Sequence, residues 1–204
     1  MLRRMKILNA YAGIGGNRQL WNGHEVTAVE KDPEIARIYK SLFPEDKVIV
    51  ADAHEYIRRH YAEFDFIWSS PPCPTHSRMR QFSQVRSGRS EPMYPDFKLY
   101  EEVVFIGEMT DIPWVVENVR PWYEPLIEPQ WLHRHAYWAP FIIPKVPPIN
   151  DKLRTAQIPE LQKHFNVDLS SYAIKGKRKI LRNMVHPTTG LALLNAAIAW
   201  QESR

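Results

Sequence analysis

The chain has 204 residues, one cysteine, and 27 basic against 23 acidic side chains, which gives a net charge of +4. That length suits one domain of ordinary size, and a single cysteine excludes disulfides within the chain. No apolar run approaches the length of a membrane span, and the basic start leads into a short strand-like run rather than a signal peptide. We therefore expect a soluble cytoplasmic protein with no membrane partner.

Strand and helix signals alternate along the first 120 residues. Strands are predicted over residues 6–11, 25–30, 47–50, 64–69 and 114–117. Helices are predicted from about residue 18, from Asp32, over 54–61 and over 96–108, with a long polar loop over 74–95. Asp32 followed by Pro33 is a strong helix start, because Asp caps the first turn and Pro fits the first helical position. The alternation predicts an α/β fold with a mostly parallel, doubly wound sheet.

Prolines break this alternation after residue 120. There we predict an antiparallel hairpin around residues 136–143, a short helix around 159–165 and a last helix over about 189–200. The stretch between the fifth strand and the last helix is therefore expected to be small and irregular.

Four features fall at the ends of successive predicted strands: the glycine turn Gly13–Gly16, then Glu30, Asp52 and Pro71-Pro72-Cys73. Ligands of open parallel sheets bind beyond the carboxyl ends of the strands. The glycines allow a ligand close to the backbone, and Glu30 follows 17 residues later, a spacing suited to holding ribose hydroxyls. The alternative is that Glu30 and Asp52 are only helix caps or turn residues.

Two basic clusters contain no acid. Residues 74–90 carry Arg78, Arg80, Arg86 and Arg89, and residues 175–182 carry Lys175, Lys177, Arg178, Lys179 and Arg182. Such clusters commonly bind phosphates, although a solvated loop and a solvated tail are equally open interpretations.

Six blocks, in the same order, resemble motifs of the DNA cytosine-C5 methyltransferase family. They are Tyr11–Gly16, Glu30-Lys31-Asp32, Asp52, Pro71-Pro72-Cys73 with Ser77, Glu117-Asn118-Val119, and Asn183 with Val185 and Pro187. Tyr11 stands where Phe is usual. The resemblance covers nearly the whole chain and implies a Rossmann-like methyltransferase fold, S-adenosylmethionine as the cofactor and DNA as the substrate.

The resemblance also implies a role for individual residues. The cofactor would contact Tyr11, Ala12, Gly13, Ile14, Gly15, Gly16, Glu30, Lys31, Asp52, Ala53, Pro72, Asn183 and Val185. The Cys73 thiolate would attack carbon 6 of cytosine, Glu117 would neutralise N3, and Asn118 and Arg134 complete the expected catalytic set. DNA would contact Ser77, Arg78, Arg80, Arg86, Arg89, Lys175, Lys177, Arg178 and Lys179. Because the target carbon is inaccessible in a duplex, the base would be flipped out while the loop after Cys73 closes over it.

The implied organisation has three segments. Residues 1–122 would form the catalytic and cofactor-binding domain, 123–180 a reduced target-recognition region, and 181–204 a segment that returns to the first domain. The small recognition region resembles that of compact phage or mobile-element methylases. We expect double-stranded DNA as the partner of a monomer, with a dimer as the alternative because so little recognition surface remains.

The sequence departs from the family at two sites. Pro74 replaces the usual Gln after the cysteine, and around Arg134 the eighth motif aligns in two ways, one of which leaves Ala136 in place of the second arginine. Three alternatives therefore stay open: an amino-methyltransferase, a catalytically impaired nucleic-acid-binding homologue, and a C5 methylase acting on RNA or nucleotides. The first fits Ser70-Pro71-Pro72 but not Cys73, where that chemistry needs an aromatic side chain.

Overall fold

The computed structural model describes residues 4–147, 153 and 155–204. The very start of the chain and part of the expected recognition region, including Pro148, lie outside the described residues. Within these ranges the strands are β1 (Lys6–Ala10), β2 (Glu25–Glu30), β3 (Lys47–Val50), β4 (Phe66–Ser69), β5 (Trp114–Val119), β6 (Gln130–Leu132) and β7 (His135–Trp138).

These strands form one sheet in the order β3-β2-β1-β4-β5-β7-β6. The first five pair in parallel, whereas β7 runs antiparallel to both β5 and β6. The mostly parallel sheet predicted from the sequence is therefore confirmed, and its carboxyl ends share one edge. The strand order reverses direction at β1 and β4, which is where open α/β sheets form their ligand crevice.

Helices accompany the sheet along the described part of the chain. They are α1 (Pro33–Leu42), α2 (Ala53–His60), α3 (Arg78–Arg80), α4 (Lys98–Met109), α5 (Ile158–Phe165), α6 (Lys177–Arg182) and α7 (Pro187–Glu202), with a 3-10 turn over Tyr61–Glu63 and a π turn over Gln81–Val85. The predicted start of α1 is confirmed, since the Asp32 carboxylate accepts hydrogen bonds from the backbone N–H groups of Glu34 and Ile35 at 2.8 and 3.2 Å.

The helices cover both faces of the sheet because successive strand residues point to opposite sides. In β4, Phe66 and Trp68 pack into the cluster that holds Leu193 and Leu194 of α7. Ile67 packs into the opposite cluster, with residues of α2 and α4. A third cluster joins α1 to α5 and α6 through buried leucine, isoleucine and phenylalanine side chains. Residues of α5 and α6 and of the stretch between them are thus packed onto α1.

The helix predicted from about residue 18 is wrong. Residues 11–20 form consecutive turns, in which backbone N–H groups bond three residues back, as from Arg18 to Gly15 at 3.1 Å. Two hydrogen bonds of 2.8 Å join the Arg18 guanidinium to the Asp46 carboxylate, which also accepts from the Tyr39 hydroxyl. This buried ion pair fixes the turns against α1, and too few residues remain before β2 for a helix to form and return.

Other predictions after β4 need correction. The hairpin lies earlier than expected, at β6 and β7, with His133 and Arg134 as its turn. Residues 141–143 instead run beside β6, held by the Gln130 side-chain amide. The predicted polar loop contains α3 and the π turn, and the basic run after Gly176 forms α6, which periodicity did not indicate because cationic side chains dominate it.

Candidate active site

A cavity of about 1280 Å³ lies beyond the carboxyl ends of the parallel strands. It is lined by all four residues expected to be catalytic and by every residue expected to contact the cofactor except Gly15. The residues expected to be catalytic and those expected to contact the cofactor therefore line the same cavity. Among the described residues, none of the helices is long and apolar enough to cross a membrane.

The turn after β1 presents backbone to this cavity. The N–H of Gly13 donates to Glu30 Oε2 at 3.0 Å, and the N–H of Asp32 donates to Glu30 Oε1 at 2.9 Å. Both carboxylate oxygens of Glu30 are thus held by backbone while lone pairs remain for a ligand. Gly13 has a left-handed φ of 55°, and a Cβ added there would meet nothing within 4 Å. This glycine leaves the turn open to a ligand.

Gly15 and Gly16 serve packing instead. A Cβ on Gly15 would overlap the ring of Phe43. On Gly16 it would lie 2.6 Å from the carbonyl oxygen of Val185 and 2.8 Å from Met184 Cβ. The second half of the motif therefore lets the C-terminal segment dock against the turn, and that docking brings Asn183 and Val185 to the cavity wall.

Asp52 follows β3 and caps α2, with its Oδ1 accepting from the Glu55 N–H at 3.3 Å. Lys31 approaches the other oxygen at 3.4 Å. Burial acts to raise the pKa of Asp52, but the Glu55 N–H and the Lys31 ammonium outweigh it and leave the pKa lowered. Asp52 is therefore both a helix cap and an anionic wall of the cavity.

Cys73 ends the segment that leaves β4. Its carbonyl oxygen accepts from the N–H groups of His76 and Ser77 at 3.1 and 3.0 Å, which fixes a tight turn at the thiol. The side chain is partly buried. Burial raises the pKa of the Cys73 thiol, the nearby Glu117 carboxylate adds to this effect, and Lys179 opposes it. The free protein therefore holds the thiol mainly in its protonated form.

Glu117 and Asn118 stand near the end of β5, next to β4 in the sheet. Glu117 is 7% exposed, and its Oε1 lies 3.8 Å from Nε2 of His135 on β7. Tyr137 pairs with Glu117 across the strands and is fully buried, and burial raises its pKa well above the ordinary value. His135 and Tyr137 both line the cavity, although no sequence pattern indicated either.

The expected DNA contacts fall into two groups. Lys175 and Lys179 line the cavity, whereas Lys177 and Arg178 of the same run do not. Ser77, Arg78, Arg80, Arg86 and Arg89 lie outside its lining, on the segment that follows Cys73. There Ser77 caps α3, and the guanidinium groups of Arg78 and Arg86 stack over the Phe82 ring at 5.8 and 4.3 Å. These arginines therefore follow the cavity-lining residues Cys73 and Pro74 in the chain but do not form the cavity wall.

Arg134 lines the cavity from the turn between β6 and β7. Its carbonyl oxygen accepts from the Arg120 N–H at 3.1 Å, which ties the turn to the end of β5. Ala136 is completely buried in the core on β7. The structure therefore brings Arg134, and not position 136, to the candidate site.

Two polar residues, one in the cavity wall and one behind it, were missed altogether. His54 lines the cavity from α2, and Glu102 lies on α4 with 2% of its surface exposed. A signal existed for Glu102, since it falls among the apolar positions Leu99, Val103 and Ile106 that face the core of that helix.

Comparison with known proteins gives a family match. The sequence profile of the C-5 cytosine-specific DNA methylase family matches residues 5–120, which is more than half of the chain. Among curated proteins, no significant match was found.

Several solved structures are similar over part of the chain. A hypothetical protein of Thermus thermophilus is 21% identical, with a TM-score of 0.45 over 67% of this chain and 75% of that one. A mutant DNMT2 of Spodoptera frugiperda is 24% identical, with a TM-score of 0.40 over 56% of this chain and 35% of that one. A putative DNA modification methyltransferase encoded within an Escherichia coli prophage is 19% identical, with a TM-score of 0.40, and the match covers 59% of this chain and 33% of that one. The chain thus spans only about a third of the last two proteins.

Proposed function

The chain belongs to the C-5 cytosine-specific DNA methylase family, and on that premise we propose that it methylates carbon 5 of cytosine in double-stranded DNA through a covalent bond to Cys73. The observation that carries the proposal is the meeting of Cys73 and Glu117 in the cavity that also contains Gly13 and Glu30. A nucleophile, a carboxyl group and a nucleoside-binding turn are the three parts this reaction needs.

The enzyme is a methyltransferase, and its cofactor is S-adenosylmethionine, which supplies the methyl group. The residues present fit this molecule. The Glu30 carboxylate, held by two backbone N–H groups, suits the two ribose hydroxyls. Asp52 can accept from the adenine amine, and the open side of Gly13 admits the ligand against the backbone. Arg18 replaces the third glycine of the dinucleotide fingerprint, as a cofactor without pyrophosphate permits.

Cys73 and Glu117 act on the cytosine ring. The Cys73 sulfur forms a bond to carbon 6 while the Glu117 carboxyl donates a proton to N3, so carbon 5 gains the electron density to accept the methyl group. After the methyl group has reached carbon 5, a base removes the proton from carbon 5, the bond between sulfur and carbon 6 breaks to release the thiolate, and N3 returns its proton to Glu117. Since its raised pKa leaves the free thiol mainly protonated, Cys73 must lose this proton for its sulfur to attack carbon 6.

The cytosine must leave the duplex to reach Cys73, because carbon 5 and carbon 6 are inaccessible in the stack. The segment 74–97 joins Cys73 to α4 and carries four arginines. Closing over the flipped base, it would bring cations to the phosphates and exclude water. Lys175, just before α6, and Lys179, within α6, line the cavity in which the flipped nucleotide would bind.

A duplex containing 5-fluorocytosine tests the mechanism, since fluorine at carbon 5 cannot leave as a proton and traps the bond to sulfur. With the cofactor present, the wild-type protein is expected to form an adduct stable in denaturing electrophoresis, and Cys73→Ala none. Unsubstituted duplex serves as the control. An adduct that persists in Cys73→Ala, or none with the wild type, contradicts the proposal, and an adduct with RNA but not DNA reassigns the substrate.

A further inference from the structure

A buried carboxylate lies directly behind the cofactor end of the cavity. Glu102 of α4 is 2% exposed and does not itself line the cavity. Its Oε1 accepts from the Tyr11 hydroxyl at 2.5 Å and faces Nδ1 of His54 at 2.9 Å, and its Oε2 accepts from the Ser69 hydroxyl at 2.5 Å. One carboxylate therefore joins the ends of β1 and β4 to α2.

The groups around His54 favour its charged form, which would balance this carboxylate. Its other ring nitrogen, Nε2, lies 3.3 Å from Glu101, so each nitrogen faces a carboxylate. The hydrogen bond to Glu102 raises the pKa of His54 against the opposing effect of burial, and the charges of Glu102 and Glu101 add to the rise while Lys98 opposes it. The Glu55 carboxylate at the start of α2 also interacts with the charge of His54. Acidic groups outnumber cations here, so the imidazolium form is favoured.

Tyr11, whose side chain is bound by the same carboxylate, has an unusual backbone conformation. Its φ of 55° is left-handed, which costs a residue other than glycine about 1 kcal/mol or more. Burial and the nearby Glu102 charge raise the pKa of its hydroxyl, so it remains a donor. Where family members have Phe, this contact has no counterpart. Tyr11 and His54 both line the cavity beside Asp52 and Ala53, so the network sets the shape of that wall.

We propose that Glu102 is a positioning residue for the cofactor pocket, which holds Tyr11 and His54 in the wall and requires His54 to be charged; the inference rests on the proposed function. A buried carboxylate is costly unless it is paired and hydrogen-bonded. When His54 loses its proton, Glu102 loses its cationic partner, and the wall relaxes. Cofactor affinity therefore falls as pH rises through the raised pKa of His54.

Helix α4 also connects the cofactor wall to the segment that follows Cys73. The helix begins at Lys98, where the segment that follows Cys73 ends, and the Asp96 N–H donates to the Thr75 hydroxyl across the base of that segment. The segment that follows Cys73 therefore leads directly into the helix that carries Glu102, and the Thr75–Asp96 bond closes its base.

Calorimetric titration with S-adenosylhomocysteine tests the inference without DNA or turnover. Between about pH 6 and about pH 9, a range that spans the titration of an imidazole of raised pKa, the wild-type Kd is expected to weaken about tenfold. Glu102→Gln is expected to bind about tenfold more weakly at the lower pH and to show no pH dependence. Glu108→Gln, the same change at an exposed position of α4, is the matched control and should behave as the wild type.

A second variant keeps the test decisive if Glu102→Gln does not fold. His54→Gln retains a donor at a partly exposed position and cannot be charged, so its Kd should be independent of pH. An NMR titration of His54 in the ligand-free protein should show a raised pKa that falls in Glu102→Gln. A wild-type pH profile retained in His54→Gln overturns the inference alone. Failure of the wild type to bind S-adenosylhomocysteine at any pH overturns the cofactor assignment, and the inference with it.

Discussion

The side-chain amide of Asn118 donates a hydrogen bond of 3.0 Å to the carbonyl oxygen of Pro71, and Asn118 is 2% exposed. Its own Oδ1 accepts from the Val119 N–H at 2.9 Å. One buried side chain thus ties the end of β5 to the segment that carries Cys73. Since Glu117 precedes Asn118, the bond fixes the distance between the proposed nucleophile and the proposed acid.

Replacing Asn118 by alanine should therefore reduce both stability and turnover. The Pro71 carbonyl would lose its donor inside the protein, a loss that typically costs about 1–3 kcal/mol of unfolding free energy. Turnover should fall further than stability predicts, because Cys73 and Glu117 would no longer be held together. Urea unfolding and methyl transfer to duplex DNA measure the two effects, with the exposed Asn22→Ala as the control. Full turnover in Asn118→Ala would contradict the positioning role.

The reactivity of Cys73 should follow the charges that face it. Burial and the Glu117 carboxylate raise its pKa, so alkylation by iodoacetamide should have its pH midpoint above the ordinary thiol value of about 8.5. Glu117→Gln removes a negative charge and should move the midpoint down. Lys179→Met removes a positive charge and should move it up. The chain has one cysteine, so the intact mass reports its alkylation directly.

Lys177→Met is the matched control for this series. Lys177 belongs to the same helix as Lys179 but does not line the cavity. Its replacement should leave the midpoint unchanged. Equal shifts in the two lysine variants, or a midpoint that rises in Glu117→Gln, would show that these charges do not act on the thiol.

Two of the three glycines of the turn, Gly13 and Gly16, should respond differently to alanine. In Gly16→Ala the new methyl group would meet the Val185 carbonyl at 2.6 Å, so the C-terminal segment must move, at a cost of about 3 kcal/mol of unfolding free energy. In Gly13→Ala space is available, and only the left-handed φ costs about 1 kcal/mol. Urea unfolding of both variants distinguishes the roles. Equal stabilities would mean that the C-terminal segment does not dock on Gly16.

The sequence predicted the parts of the fold that depend on local signals. The start of α1 was correct because Asp32 and Pro33 satisfy the helix end within three residues. The turns before β2 were missed because the Arg18 guanidinium binds Asp46, which is 28 residues away in the chain. A contact over that distance leaves no periodic pattern of apolar residues in the sequence. The predicted hairpin was wrong in position because no local signal indicates a turn at His133 and Arg134, and the Gln130 side chain fixes where residues 141–143 lie.

The candidate site was predictable where residues follow the ends of strands. Glu30, Asp52, Cys73 and Glu117 meet in one cavity because parallel strands align their carboxyl ends at one edge. Glu102 was not predictable as part of the site, since its three partners lie 33 to 91 residues away. Its position on the apolar face of α4 indicated only that a buried carboxylate there needs hydrogen-bond donors or a cation as partners.

DNA binding should depend on the arginines of the segment after Cys73. The Arg86 side chain is held over the exposed Phe82 ring at 4.3 Å, which presents its charge to solvent in a fixed position. Each phosphate neutralised by such a cation adds about 0.9 to the slope of the logarithm of affinity against the logarithm of salt concentration. If Arg86 contacts one phosphate, Arg86→Gln should weaken duplex binding for every sequence and reduce that slope by about one. Lys47→Gln, at the amino end of β3 on the opposite edge of the sheet, should leave the slope unchanged. Fluorescence anisotropy at several salt concentrations measures both variants. Equal slopes for the two variants would show that Arg86 does not contact a DNA phosphate.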